Sequence, residues 1–162
     1  MPDLRPLFSP DSVAIIGASG DTHTLRGRTT EFLIAHGYPG RIYPVTRSQP
    51  EVFGLRCYAT VAELPEAPDL AVVVVPAAYV APTLEECGKK GVRAAVIISS
   101  GFAEVSAAGR ARQQRIFEIV RQSGMRMVGP NCMGVLNTDP AVRLDGTFAP
   151  TLPPPGNIGM YS

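Results

Sequence analysis

The fold is decided by Val13-Ala14-Ile15-Ile16-Gly17-Ala18-Ser19-Gly20, near the start of the chain. Four apolar residues run into a small turn flanked by Gly17 and Gly20, and a segment with helical spacing follows. A buried strand that ends at glycine and is followed by a helix brings backbone N–H groups together, a geometry that binds phosphate. The stretch therefore predicts a site for a phosphate-rich, nucleotide-like ligand.

Outward from this stretch, apolar runs alternate with helical patterns. The predicted strands are Val13–Gly17, Ile42–Val45, Leu70–Val75, Ala94–Ile98 and Met125–Val128. Helical spacing is found at Thr29, Phe32, Leu33 and His36, at Val80, Thr83, Leu84 and Cys87, and at Gln113, Ile116, Phe117 and Val120. Thr60 and Glu63 form a capping-box pattern that predicts one more short helix. Such alternation is typical of an α/β fold with a Rossmann-like doubly wound parallel sheet.

Length and composition narrow the class of protein. The chain has 162 residues, 45% of them hydrophobic and 18% charged, which suits one globular domain with a core. The net charge of +1 gives no excess of basic residues for nucleic acid or an anionic membrane. The longest apolar run, Leu70–Val75, is too short to span a bilayer, and Met1–Pro6 lacks a signal-peptide core. We therefore expect a cytoplasmic protein.

Metal and disulfide chemistry are not predicted. The three cysteines, Cys57, Cys87 and Cys132, are widely spaced and include no CxxC pair. The two histidines, His23 and His36, form no local cluster with them. His23 lies beside the phosphate turn, whereas His36 lies on the apolar face of its predicted helix and is expected to be packed.

The tail differs from the rest of the chain. Residues 149–156 are rich in proline, a composition that predicts a linker. Residues 157–162 look like the start of a strand. We expect residues 1–148 to form one ligand-binding domain and residues 149–162 to be a linker and the start of an absent following domain. The chain would then be one piece of a longer protein.

In doubly wound sheets, ligands bind where the strands end. The first turn is not a full dinucleotide fingerprint, because Ser19 stands where the second glycine of GxGxxG would be. The second strand ends in Thr46-Arg47, with a cation where an NAD site usually has a carboxylate. A guanidinium favours a phosphate on the ribose, as in NADP or coenzyme A. A turn that binds nothing and a solvated Arg47 remain the alternatives.

The later strand ends offer contacts but no evident catalyst. Ser99 and Ser100 could contact phosphate or pantetheine amides, but no GxSxG motif or nearby histidine makes either a nucleophile. Cys132 has no neighbouring base or cation, so a packing role is favoured over a catalytic thiol. Asn131 is expected to fix its loop through its side-chain amide.

Five motifs in order carry a family resemblance. They are Gly17-Ala18-Ser19-Gly20, Ile42-Tyr43-Pro44-Val45, Val75-Pro76-Ala77, Ser100-Gly101-Phe102-Ala103-Glu104 and Gly129-Pro130-Asn131-Cys132-Met133-Gly134. Together they resemble the N-terminal CoA-binding domain of NDP-forming acyl-CoA synthetases, relatives of the succinyl-CoA synthetase α subunit. The resemblance runs from about Leu4 to Ser162, and the set is fairly specific although each motif alone is weak.

The resemblance implies a Rossmann-like CoA-binding domain and assigns contacts to particular positions. The expected CoA-binding residues are Gly17, Ala18, Ser19, Gly20, Val45, Thr46, Arg47, Pro76, Ile98, Ser99, Ser100 and Asn131. Arg47 stands where the family usually has lysine, and Thr46-Arg47 departs from the family's common Asn-Pro. No catalytic or metal-binding residue is expected.

The family reaction joins an acid to CoA, with NTP giving NDP and phosphate, through an acyl phosphate and a phosphohistidine. The phosphorylated histidine belongs to the next domain, and an ATP-grasp domain holds the nucleotide. The resemblance implies that this chain binds CoA without completing the reaction, alongside such domains or subunits in an oligomer. Two alternatives stay open: a ligase-like regulatory domain of a protein lysine acetyltransferase, and an NADP-dependent oxidoreductase domain.

Overall fold

A computed structural model describes residues 3–160. In this range the helices are α1 (Arg5–Phe8), α2 (Leu25–Ala35), α3 (Ala77–Lys90) and α4 (Ala107–Ser123). The strands are β1 (Ser12–Ile16), β2 (Arg41–Val45), β3 (Glu51–Val52), β4 (Leu55–Arg56), β5 (Leu70–Val73), β6 (Ala94–Ile97), β7 (Arg126–Val128), β8 (Gly134–Asn137) and β9 (Leu144–Thr147).

Five strands form the central parallel sheet, in the order β2-β1-β5-β6-β7. The chain builds outward from β1 in both directions, so the strand order reverses between β1 and β5. This arrangement confirms the predicted Rossmann-like doubly wound sheet, and it places a ligand crevice at the carboxyl ends of the central strands.

Strand β5 explains why its sequence shows no alternation. Leu70 and Val72 pack into the layer that contains α2, whereas Ala71 and Val73 pack into the layer that contains α3 and α4. All four side chains are completely buried. Both faces of the sheet are therefore covered, as the uninterrupted apolar run predicts.

The three longer predicted helices are present, with one correction in α4. Ser106 caps its first turn by accepting from Gly109 N–H at 3.0 Å, and Gly124 ends it in the left-handed conformation. Phe117, whose helical spacing groups it with Ile116, is 41% exposed, and Ile119 is buried instead. The buried stripe centres on Ile116, so a residue one position further turns about 100° away from it.

The predicted short helix at Thr60–Glu63 does not form. Its capping contacts exist, since Glu63 accepts from Ala59 N–H and from the Thr60 hydroxyl, each at 3.2 Å, but the backbone continues as turns. Pro65 follows after Leu64, and the residue before a proline is disfavoured in helical conformation. The capping contacts therefore close a turn.

Two antiparallel hairpins were not predicted. Strands β3 and β4 form one beside the end of β2, and β8 and β9 form the other against α2. Val135 and Leu144 of the β8–β9 hairpin join the apolar layer on the α2 face. Residues 150–160 are exposed and contain neither helix nor strand. No helix within residues 3–160 has the length and apolar character needed to cross a membrane.

Candidate functional site

A cleft of about 540 Å³ opens at the carboxyl edge of the sheet, near the point where the strand order reverses. Its volume is typical of small-molecule sites. The lining residues are Thr24, Leu25, Arg26, Val74, Val75, Pro76, Ile98, Ser99, Ser100, Asn131, Cys132, Met133 and Phe148. The cleft thus draws on the start of α2, the ends of β5 and β6, the loop after β7 and the residue after β9.

The start of the predicted phosphate turn packs into the protein beside the cleft. Gly17 has φ +96°, and a Cβ there would lie 2.5 Å from the carbonyl oxygen of Val74. Its N–H donates to the carbonyl of Val45 at 2.9 Å, and Ala18 is completely buried. Gly17 is therefore required by the close approach of β1 to β5, whatever ligand binds.

The rest of that turn is more open. Ser19 is half-buried and accepts from Asp21 N–H at 3.2 Å, and Gly20 is exposed with its N–H donating to Gln49 Oε1 at 3.1 Å. A further turn, closed by Thr24 N–H donating to Asp21 C=O at 3.1 Å, separates Gly20 from α2. This extra turn explains why the residues that line the cleft begin at Thr24, four positions beyond the predicted stretch.

Arg26 is the site residue that sequence reasoning missed most clearly. Its Nε donates to the carbonyl of Gly17 at 2.5 Å, and its Nη2 lies 3.5 Å from the carbonyl of Ala18. Among the lining residues in the described part of the chain it alone carries charge. It therefore holds the turn and supplies the cleft's positive charge. The signal was present in the sequence as an arginine soon after the glycine turn.

The residues at the end of β2 lie outside the cleft. Val45 and Thr46 are buried, and the Thr46 hydroxyl lies 2.9 Å from the hydroxyl of Ser48. Arg47 is exposed and forms no ion pair with any residue from 3 to 160. The contact between Gly20 and Gln49 nevertheless places this loop beside the first turn, and the Arg47 guanidinium remains free for an external anion.

The ends of β5 and β6 line the cleft. Pro76 precedes α3, and Ile98, Ser99 and Ser100 follow β6. The Ser99 hydroxyl donates to the carbonyl of Val75 at 2.6 Å, which ties the two strand ends together. Its lone pairs remain available to a ligand donor.

A carboxylate shapes the loop after Ser100. Glu104 accepts from the N–H groups of Phe102 at 3.0 Å and Gly101 at 2.6 Å, and these bonds lower the pKa of its carboxyl. Arg112 donates to the carbonyl of Gly101 at 3.0 and 3.2 Å. The loop is thereby anchored to α4, with the Ser100 side of the loop facing the cleft.

The loop after β7 forms another wall. Asn131 has φ +58°, and its N–H donates to the carbonyl of Ser99 at 3.0 Å. Cys132 donates from Sγ to the carbonyl of Ile97 at 3.4 Å, and burial raises the pKa of its thiol. A raised pKa disfavours the nucleophilic thiolate, which supports packing as the role of Cys132. Met133, which the prediction omitted, is more than half exposed at the rim.

The last contribution, from Phe148, could not be predicted because it depends on the β8–β9 hairpin. His23, which the sequence places beside the phosphate turn, does not line the cleft. His36 is half-buried as expected, and in addition its Nδ1 lies 2.7 Å from a carboxylate oxygen of Asp145.

The cleft suits one type of ligand. It combines a guanidinium, the hydroxyls of Ser99 and Ser100 and an amide with an apolar wall, and no carboxylate belongs to its lining within residues 3–160. An anionic group with an amide-bearing and partly apolar body fits this donor set. The same range contains no group of three His, Cys, Asp or Glu residues placed to hold a metal ion.

Comparisons with known proteins agree with this geometry. The family model described as a CoA binding domain matches residues 11–138. The α subunit of acetate–CoA ligase (ADP-forming) I of Pyrococcus furiosus is 44% identical over 163 residues, covering 98% of this chain and 35% of that one. The 4-hydroxybutyrate–CoA ligase (ADP-forming) of Nitrosopumilus maritimus is 40% identical over 157 residues, covering 97% and 22%.

A solved structure extends the likeness to three dimensions. The dinucleotide-forming acetyl-coenzyme A synthetase 1 of Ca. Korarchaeum cryptofilum, in complex with phosphate and ADP, superimposes with a TM-score of 0.85 at 37% identity. The match covers 93% of this chain and 32% of that one. The chain therefore spans about a fifth to a third of the length of these relatives.

Proposed function

The chain belongs to the family of CoA-binding domains, in the form found in ADP-forming acyl-CoA synthetases, and we propose that it binds CoA in the cleft at the carboxyl edge of its sheet. The observation that carries the proposal is the cleft itself, which lies at the position where doubly wound sheets bind ligands. Arg26, the one cation that lines it within the described residues 3–160, and its uncharged donors match a ligand that joins phosphates to a pantetheine chain.

Particular residues are proposed for particular parts of the ligand. Arg26 and Arg47 would attract phosphates, and Gly20 would offer a backbone N–H near them. Ser99, Ser100 and Asn131 would meet amide or hydroxyl groups. The predicted residues Gly17, Ala18, Val45 and Thr46 would act by shaping the turn and the strand end, since they are buried. Ser19, Pro76 and Ile98 complete the proposed set.

The activity of the whole protein is a further proposal. The relatives are CoA ligases of which this chain spans only a part. We propose that residues 1–148 supply CoA binding to a cytoplasmic acid–thiol ligase that converts acid, CoA and ATP to acyl-CoA, ADP and phosphate. Residues 149–162 would lead to further domains or subunits, succinyl-CoA-synthetase-like and ATP-grasp in type, that carry the ATP-dependent steps in an oligomer.

The experiment is calorimetric titration of the 162-residue chain with CoA, dephospho-CoA, NADP and NAD. We expect binding of CoA that weakens when the 3′-phosphate is removed. Binding of NADP but not of CoA would contradict the proposal and favour an oxidoreductase domain. If none of the four ligands binds, the cleft of this chain is not sufficient by itself for binding.

A further inference from the structure

Asp145 is an almost completely buried carboxylate on the β8–β9 hairpin, 1% exposed, and it lies outside the motifs found in the sequence. Its Oδ2 lies 2.7 Å from His36 Nδ1, and its Oδ1 accepts from the N–H and the hydroxyl of Thr147 at 3.0 and 2.6 Å. Because a carboxylate accepts hydrogen bonds, His36 is the donor in this pair. Both oxygens are thus satisfied within the fold.

The pair joins two elements that both reach the cleft. His36 caps the carboxyl end of α2, whose first turn carries Arg26 into the cleft. Asp145 lies in β9, three residues before Phe148, which lines the same cleft. The His36 ring is itself held by stacking on Phe32, with ring centroids 5.7 Å apart. The contact therefore fixes the hairpin to the carboxyl end of α2, the end away from the cleft.

The hydrogen bonds continue past Asp145 toward Phe148. The Thr147 hydroxyl that donates to Asp145 also accepts from Ala149 N–H at 3.1 Å. Phe148 lies between these two anchored residues, so its backbone is held on both sides. A buried carboxylate needs such partners, and loss of one leaves the rest of the network poorly satisfied.

We infer that His36 and Asp145 form a positioning pair that holds Phe148 against the CoA-binding cleft. This inference rests on the proposed function for its ligand but not for its geometry. His36 does not touch the cleft and acts through Asp145 and Thr147. Its removal should loosen Phe148 while Arg26 and the sheet stay in place.

The absence of tryptophan from the chain allows a direct test of the geometry. In Phe148→Trp, the single indole reports the polarity of its surroundings without any ligand. We expect His36→Ala in that background to shift the emission to the red and to increase acrylamide quenching. His36→Asn should largely restore both, because an amide nitrogen can donate from the place of Nδ1. Ile116→Val, on the other face of the sheet, is the control for mild destabilisation and should change neither.

Titration with CoA, well below the unfolding temperature, tests the consequence for binding. We expect His36→Ala to weaken CoA roughly fivefold, a coupling usual for residues of one network. In the Phe148→Ala background, His36→Ala should not weaken CoA further, because the side chain that His36 positions is already absent.

Unchanged tryptophan emission, or losses that multiply in the double variant, would overturn the inference. So would failure of His36→Asn to restore the emission. If the unaltered chain binds no CoA, the proposed function fails by itself, and the emission of the tryptophan variants still decides whether the pair positions residue 148.

Discussion

The side-chain oxygen of Gln49 accepts a hydrogen bond from the backbone N–H of Gly20 at 3.1 Å. One of the donors proposed for phosphate is thus occupied by a side chain from the loop after β2. A ligand phosphate that uses this N–H must displace Gln49, so the two acceptors compete for one donor.

Gln49→Ala should therefore bind CoA more tightly. A typical net hydrogen bond contributes about 1 kcal/mol, which corresponds to roughly a fivefold lower Kd. Calorimetry measures the change, and Gln114→Ala on the exposed side of α4 serves as the control. A higher Kd would show instead that Gln49 supports the turn in its binding conformation.

Arg47→Ala should weaken CoA more than dephospho-CoA, because the exposed guanidinium is proposed to meet the 3′-phosphate. The difference should shrink as salt is added, since exposed charges are screened. Arg26→Ala, which removes the cation of the cleft itself, should weaken both ligands. Arg121→Ala, at the end of α4, is the matched control. If Arg47→Ala lowers the affinity for CoA and for dephospho-CoA equally, Arg47 does not contact the 3′-phosphate.

Gly17→Ala should destabilise the fold. The added Cβ would meet the Val74 carbonyl at 2.5 Å in a backbone with φ +96°, so steric overlap adds to backbone strain. We expect a loss of about 2–4 kcal/mol in the free energy of unfolding. Gly54→Ala, with φ +78° and no atom within 4 Å of the added Cβ, isolates the backbone strain and should cost less.

A different result is expected if Gly17 only faces the ligand: a larger side chain there would then abolish binding and leave the domain folded. Urea denaturation of the two alanine variants decides between the accounts. A Gly17→Ala midpoint equal to that of Gly54→Ala would contradict the packing role.

Glu104 should make stability depend on pH in the acid range. The N–H groups of Phe102 and Gly101 bind its carboxylate form, so its folded pKa lies below the ordinary 4.5. The contribution is present above that ordinary value and is lost as pH falls through the lower folded pKa. Glu104→Gln should flatten this part of the profile of urea midpoint against pH. Equal slopes for Glu104→Gln and the unaltered chain would contradict the role.

The alkylation rates of the cysteines can show whether the ligand binds in the cleft. Burial raises the pKa of the Cys87 thiol to about 12 and also raises the pKa values of Cys132 and Cys57. All three should therefore alkylate slowly with iodoacetamide at pH 8, with Cys87 the slowest. Saturating CoA should slow Cys132 further and leave Cys57 unchanged, as mass spectrometry of the alkylated peptides can show. Protection of Cys57 but not of Cys132 would move the ligand out of the cleft.

The sheet could be predicted because the buried strands of a parallel sheet occur in the sequence as short apolar runs bounded by glycine and proline. Strand β9 could not be predicted, because its residues Asp145 and Gly146 are unfavourable in strands. Their presence there is explained by tertiary contacts, of Asp145 with His36 and of Gly146 with Val135. The topology alone places Ser99 and Asn131 at strand ends, where the cleft opens. Arg26 was missed because its place depends on the extra turn before α2.

Strand β2 lies at the border of the central sheet, where unpaired backbone groups would invite another chain to add a strand. Two features close this border. Pro44 has no N–H to donate, and Tyr58 forms hydrogen bonds on both sides of Val45: its N–H donates to the Pro44 carbonyl at 3.0 Å, and its carbonyl accepts from Thr46 N–H at 2.8 Å. The segment around Tyr58, which pairs with the end of β2 beside the loop that carries Gln49, therefore also protects the protein against edge-to-edge aggregation.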